Sequence, residues 1–147
     1  MQQGLRSMPI RSRWTDQFSA LGNQSKFHEK VRDILQQDKL LRGFKSYQEV
    51  PVKDLCPGYP NTHFFDWYID ELNTVIELHG AQHYKVVNYG NSSFEKAQKN
   101  FAEIQSRDKQ KKAAAIAAGY TYVEISFKEY QKLNAVRFKQ LLFEEGK

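Results

Sequence analysis

Two carboxylates stand where strands would ordinarily carry apolar side chains. Asp66 lies inside Phe64-Phe65-Asp66-Trp67-Tyr68, and Glu77 inside Val75-Ile76-Glu77-Leu78. An ionised carboxylate in such company is costly unless it is paired or holds a cation. On neighbouring strands of a hairpin their oxygens would approach closely, and like charges repel there unless a divalent ion lies between them. Magnesium suits this arrangement, because it takes one or two carboxylates, keeps several waters and accepts phosphate oxygens from a substrate. The alternative for either acid alone is a half-exposed position facing water. Asp66 and Glu77 are therefore the expected metal ligands.

Histidines gather around the two acids. His63, His79 and His83 are three of the four in the chain. Glu77 and His79 share a strand face by two-residue periodicity. Gly80 permits a bend after the strand that can turn His83 back toward the same cleft. A histidine beside a phosphodiester can orient or deprotonate water, or protonate the leaving oxygen.

The elements that must position these groups follow from pattern. Residues 1–24 lack periodicity and read as a basic arm, ordered at most around Trp14 and Phe18. Ser25 is a plausible N-cap for a helix whose Phe27, Val31, Ile34 and Leu35 form one apolar face. Strands are expected at 44–50, 63–69 and 74–78, the first two separated by a proline-rich loop at 51–62. Asp70-Glu71-Leu72-Asn73 is a polar hairpin connection. A long helix over 94–118 ends at Gly119, in the position where glycine stops helices. A strand at 120–125 and a helix over 128–145 complete the order α-β-β-β-α-β-α. This is an α/β (α+β) fold, with a central mixed β-sheet flanked by helices and one domain spanning 25–147.

With those elements in place the chain resembles a known family. Phe65-Asp66-Trp67-Tyr68-Ile69, then Val75-Ile76-Glu77-Leu78-His79-Gly80-Ala81-Gln82-His83-Tyr84, then Arg107-Asp108-Lys109 ahead of Gly119-Tyr120, are similar to the PD-(D/E)XK nuclease superfamily. Within it the match is to the very-short-patch-repair-like branch, which includes phage free-standing homing endonucleases with an E-D-x-H-D pattern. The resemblance spans about residues 25–127. It implies a PD-(D/E)XK nuclease-like core and Mg²⁺-dependent cleavage of DNA phosphodiesters, with Mn²⁺ able to substitute. It further implies that Asp66 and Glu77 hold the metal, that His83 acts near the scissile phosphate, and that Asp108 positions His83 or a water. His79 falls where the superfamily motif has its lysine. On the first helix the family's glutamate falls at His28, with the nearest acid at Glu29. On a helical wheel His28 lies about 65° from the apolar face and Glu29 nearly opposite it, so either residue is a candidate for that role.

Charge agrees with a nucleic-acid partner. The net charge is +5 and the isoelectric point about 9.2. Lys96, Lys99, Arg107, Lys109, Lys111 and Lys112 face only Glu103 and Asp108 over that stretch, and Arg6, Arg11 and Arg13 sit beside Trp14. Such stripes suit a phosphate backbone, since neutralising phosphates releases counterions. The alternative is a solvated helix face and a basic tail. Double-stranded DNA is the expected partner, with a homodimer as one way to lengthen the site read. One cysteine, Cys56, excludes an internal disulfide framework and a cysteine-based zinc cluster. No apolar run reaches membrane-spanning length and the first residues lack a signal-peptide core, so a cytoplasmic, phage-encoded setting is expected. Site-specific homing cleavage leads. Mismatch or junction nicking, RNA cleavage, and DNA binding without catalysis stand as alternatives.

Overall fold

The computed structural model describes residues 13–87 and 93–145. Its chain order is β1 (Thr15–Asp16), α1 (Lys26–Gln37), β2 (Ser46–Pro51), α2 (Val52–Leu55), β3 (Phe64–Ile69), β4 (Thr74–His79), α3 (Phe94–Ala117), β5 (Thr121–Ser126) and α4 (Ala135–Gln140). The five strands lie in one sheet in sequential order. The first three pairings are antiparallel and β4 pairs with β5 in parallel, with α3 as the crossover between them. The fold is α+β, a mixed sheet flanked by helices. Among the described residues no helix is long and apolar enough to cross a membrane.

Local chemistry accounts for the element ends. Ser25 Oγ accepts the His28 amide and opens α1, while Ser93 Oγ accepts the Lys96 amide and opens α3. Helix α3 runs unbroken to Ala117. Gly119 then takes φ +91°, and the amides of Gly119 and Tyr120 close on Ile116 and Ala115 carbonyls. Between β3 and β4 the chain turns through a 3₁₀ turn, Asp70–Leu72, with Asn73 in the left-handed region.

Two cores sandwich the sheet. Val31, Ile34 and Leu35 of α1 and Phe138 of α4 pack with Trp67, Ile76, Val123 and Ile125. Val52 and Leu55 of α2 and Ala115 of α3 pack with Phe65, Tyr68 and Val75. Cys56 is buried in this second core, and burial pushes its thiol up to about 11. Only the thiolate reacts. Cys56 should therefore resist alkylation near pH 8 in the native protein and react promptly in denaturant, as counted by mass spectrometry; prompt native labelling would contradict this packing.

Three expectations about the elements need correction. The arm, expected to be ordered at most around Trp14 and Phe18, joins the sheet within its described part. Thr15 and Asp16 pair with Gln48 and Tyr47 as an edge strand, Trp14 is buried and donates to Asp54 Oδ2 at 2.9 Å, and Gln17 bridges Phe44 O and the Ser46 amide. A two-residue strand is too short to leave a periodic signal. The proline-rich loop contains the short helix α2. The terminal helix over 128–145 is a 3₁₀ segment (Phe127–Lys132), then α4, then a π turn (Leu141–Glu145). Leu133 is buried between the first two pieces, and Asn134 Oδ1 caps the second by accepting the Arg137 amide.

Candidate active site

The hairpin places its two acids opposite each other, as their positions in apolar strands suggested. The β3–β4 ladder runs from Ile69↔Thr74 to Trp67↔Ile76 and stops there. The next pair in register would be Asp66 and Glu77. In place of ladder bonds, the Asp66 amide donates to Glu77 Oε2 at 2.9 Å and the Leu78 amide donates to Asp66 Oδ2 at 2.7 Å. Side-chain carboxylates thus take backbone amides at the point where the strands part. Both acids line one cavity of about 280 Å³, together with Glu49, Thr62, His63, Phe64, Leu78, His83, Arg107 and Lys111.

Electrostatics inside this cavity are unusual. Glu77 is 1% exposed. Burial, then the charge of Asp66, raises its carboxyl above the ordinary range. Burial likewise raises Asp66. The counter-charge is Lys111, whose Nζ contacts Glu77 Oε1 and donates to Phe64 O at 2.9 Å. Lys111 does not stand in the exposed stripe expected to face DNA. It is 7% exposed and turned into the cavity, because it lies one turn beyond Asp108 on the face of α3 that meets the sheet.

Burial separates His28 from Glu29. His28 is 3% exposed, stacked on Trp67 with ring centroids 4.9 Å apart. Glu29 is exposed in the first turn of α1 and is not brought to the site. One ligand atom each of His28, Glu49 and Asp66 lie within 4.8 Å of one another. His28 Nε2 meets Gln48 Oε1 at 2.8 Å, and Gln48 Nε2 donates to the carbonyls of Asp16 and Ser19. Gln48 therefore presents its oxygen, so His28 carries its proton on Nε2 and keeps Nδ1 as a lone pair. Burial holds His28 below its ordinary pKa, which suits a neutral ligand.

Glu49 is the residue that sequence reasoning missed. It stands across from Asp66 in the β2–β3 register, between the pairs Gln48↔Trp67 and Val50↔Phe65. Its φ is +49°, a left-handed conformation that a strand glutamate rarely adopts, and such strain concentrates at functional positions. Burial, then the Glu77 charge, raises its carboxyl. A single acid in Ser46-Tyr47-Gln48-Glu49-Val50 gives no sign of this.

The histidines at the end of β4 and in the turn after it form a second group. His83 leaves the 3₁₀ turn Ala81–His83 with Nδ1 at 2.7 Å from Asp108 Oδ2, and its ring stacks on His79 at 4.0 Å, nearly parallel. Burial alone would raise Asp108, but the His83 hydrogen bond and the two histidines hold it below the usual range. His79 is buried, with Nδ1 at 3.3 Å from Glu124 Oε2, and Glu124 also accepts the Tyr84 hydroxyl. Burial, then the neighbouring His83, lowers the pKa of His79. His63 sits at the cavity wall with Nδ1 bonded to the Tyr59 hydroxyl at 2.7 Å.

The remaining basic residues lie outside this constellation or at its mouth. Arg107 lines the cavity. Lys96, Lys99, Lys109 and Lys112 are exposed on α3, Lys112 over the Tyr122 ring, and Arg13 is exposed near the start of the described chain. Arg6 and Arg11 lie outside the described residues. No family model and no curated protein matches the chain.

Proposed function

We propose that this chain is a metal-dependent endonuclease that hydrolyses DNA phosphodiesters. The observation carrying the proposal is the cleft where the β3–β4 ladder gives way to Asp66 and Glu77, with Glu49, His83, Arg107 and Lys111 on its walls. The donors fit a hard divalent ion. Asp66 and Glu49 offer carboxylate oxygens that repel one another without a cation, and His28 offers a ring nitrogen in the same cluster, a set compatible with Mg²⁺ or Mn²⁺. Glu77, expected as the second ligand, is taken up by Lys111 and the Asp66 amide. When bound, such an ion supplies Lewis acidity toward a non-bridging phosphate oxygen.

The chain's own residues supply the rest. Asp108 accepts the Nδ1–H of His83 and so leaves Nε2 unprotonated, ready to take a proton from water attacking phosphorus. The new P–O bond forms as the bond to the leaving oxygen breaks. Lys111 balances Glu77 and keeps positive charge beside the phosphate, and Arg107 adds a second cation at the mouth. The exposed lysines of α3 extend that surface for backbone contacts.

Incubation with mixed DNA and Mg²⁺ or Mn²⁺, followed by mapping of product ends, tests the reading. One recurrent site identifies homing-type cleavage, with a homodimer reading a long site. Cuts confined to mismatches or branches identify nicking repair instead. Asp66→Ala and Glu49→Gln should each lower the rate about 10³-fold or more, several kcal/mol of transition-state stabilisation, while DNA binding persists. Intact DNA with either ion would overturn the proposal. That result would favour DNA binding without catalysis, a reading supported by the Glu77–Lys111 pair, which balances part of the charge internally.

A further inference from the structure

The group formed by His79, His83 and Asp108 has a defect that hydrogen bonding within the chain does not repair. His79 Nε2 and Asp108 Oδ1 are both buried and neither has a hydrogen-bond partner. They face each other at 3.8 Å, beyond the 2.7–3.2 Å of an N–H···O bond. Glu124 stands at 3.3 Å from the opposite ring nitrogen of His79. An acceptor there draws the imidazole proton to Nδ1, so two lone pairs confront each other across the gap. Buried polar atoms of this kind call for an explanation.

A single water fits poorly, since two hydrogen bonds of about 2.8 Å spanning that gap would meet at less than a right angle. A transition-metal ion fits well, because metal–nitrogen and metal–oxygen bonds of about 2.1 Å span it at an open angle. A third donor is at hand. One ring nitrogen each of His79 and His83 and one oxygen of Asp108 lie within 4.8 Å of one another. The carboxylate behind His79 completes the pattern of a metal-ligating histidine, oriented by the group that holds its other nitrogen.

We infer that His79, His83 and Asp108 form a binding site for a zinc-class divalent ion, oriented by Glu124 and separate from the His28–Glu49–Asp66 cluster. Two imidazoles and one carboxylate favour zinc, cobalt or nickel over magnesium. Three protein ligands leave a fourth position open. If the nuclease reading holds, filling this site withdraws His83 from proton transfer and makes these ions inhibitors; the binding itself does not depend on that reading.

Cobalt(II) is the probe, because its visible absorption reports an ordered low-coordination site without any assay of activity. The full-length chain is titrated with Co²⁺ in excess Mg²⁺. The wild type should give saturable visible bands, reversed by Zn²⁺. Asp108→Asn and His83→Ala should lose them, and Glu124→Ala should weaken binding 10–100-fold, as loss of an orienting partner does. His28→Asn and Glu49→Gln should bind Co²⁺ as the wild type does. Circular dichroism checks that each variant is folded, and Glu124→Ala, at an exposed position, decides the matter should Asp108→Asn misfold. Absence of saturable bands in the wild type overturns the inference, and so does their loss in His28→Asn or Glu49→Gln instead.

Discussion

Lys111→Met is expected to destabilise the protein by about 3–5 kcal/mol, the range for removing one partner of a buried ion pair. The size follows from position. The Glu77 side chain is 2% exposed and that of Lys111 9%, so little water can replace the lost partner. Lys111 also caps the Phe64 carbonyl. Pairing Lys111→Met with Glu77→Gln should recover much of the loss, because the second change removes the unbalanced charge while a glutamine oxygen still accepts the Asp66 amide. Urea unfolding measures both, with an unchanged m-value as the check that the comparison is valid. A loss under about 1 kcal/mol for Lys111→Met, or simple additivity in the double variant, would show that the pair is solvated in solution.

Asp66→Asn should separate activity from stability. The asparagine oxygen can still accept the Leu78 amide, so the strand geometry is retained, while metal affinity and any cleavage should fall together. Without divalent ions the variant should be more stable than the wild type in mild alkali, by on the order of 1–3 kcal/mol. Folding raises the Asp66 and Glu77 pKa values, burial being the first cause. Above about pH 4, where unfolded carboxyls ionise, and up to the raised folded values, the native state binds more protons than the unfolded chain. By linkage the wild type loses stability as pH rises through that window. The advantage of Asp66→Asn should accordingly grow from about pH 4 to about pH 8, the folded values being raised to about 6 for Asp66 and about 8 for Glu77. Added Mn²⁺ should shrink it by stabilising the wild type alone. Parallel pH profiles for the two proteins would contradict the electrostatic account.

How much of this could be read from the chain depended on what each residue's role rests upon. Asp66 and Glu77 were legible because an acid in an aromatic or β-branched strand is locally improbable. The hairpin that unites them is local too, closed by Asp70–Leu72 and Asn73. Ser25, Ser93 and Gly119 marked helix ends for the same reason, since capping is chemistry over a few residues. Lys111 was hidden because its neighbours on α3 are also basic, and which lysine turns inward depends on how the helix is rotated against the sheet. Glu49 was hidden because a positive φ has no signature in the residue type. His28 and Glu29 differ by one helical step, and only the packing of α1 on Trp67 separates them.

The interrupted ladder gives the cleft a spectroscopic voice of its own. In an ordinary hairpin the amides of residues 66 and 78 would report strand pairing. Here each donates to a carboxylate, and hydrogen bonds to an ionised acceptor are shorter and stronger than those to a neutral one. Their proton chemical shifts and solvent-exchange rates are therefore tied to the charge on Glu77 and Asp66. Two backbone resonances, assigned once by NMR, would follow protonation or ion binding in this cleft with no substrate, label or substitution.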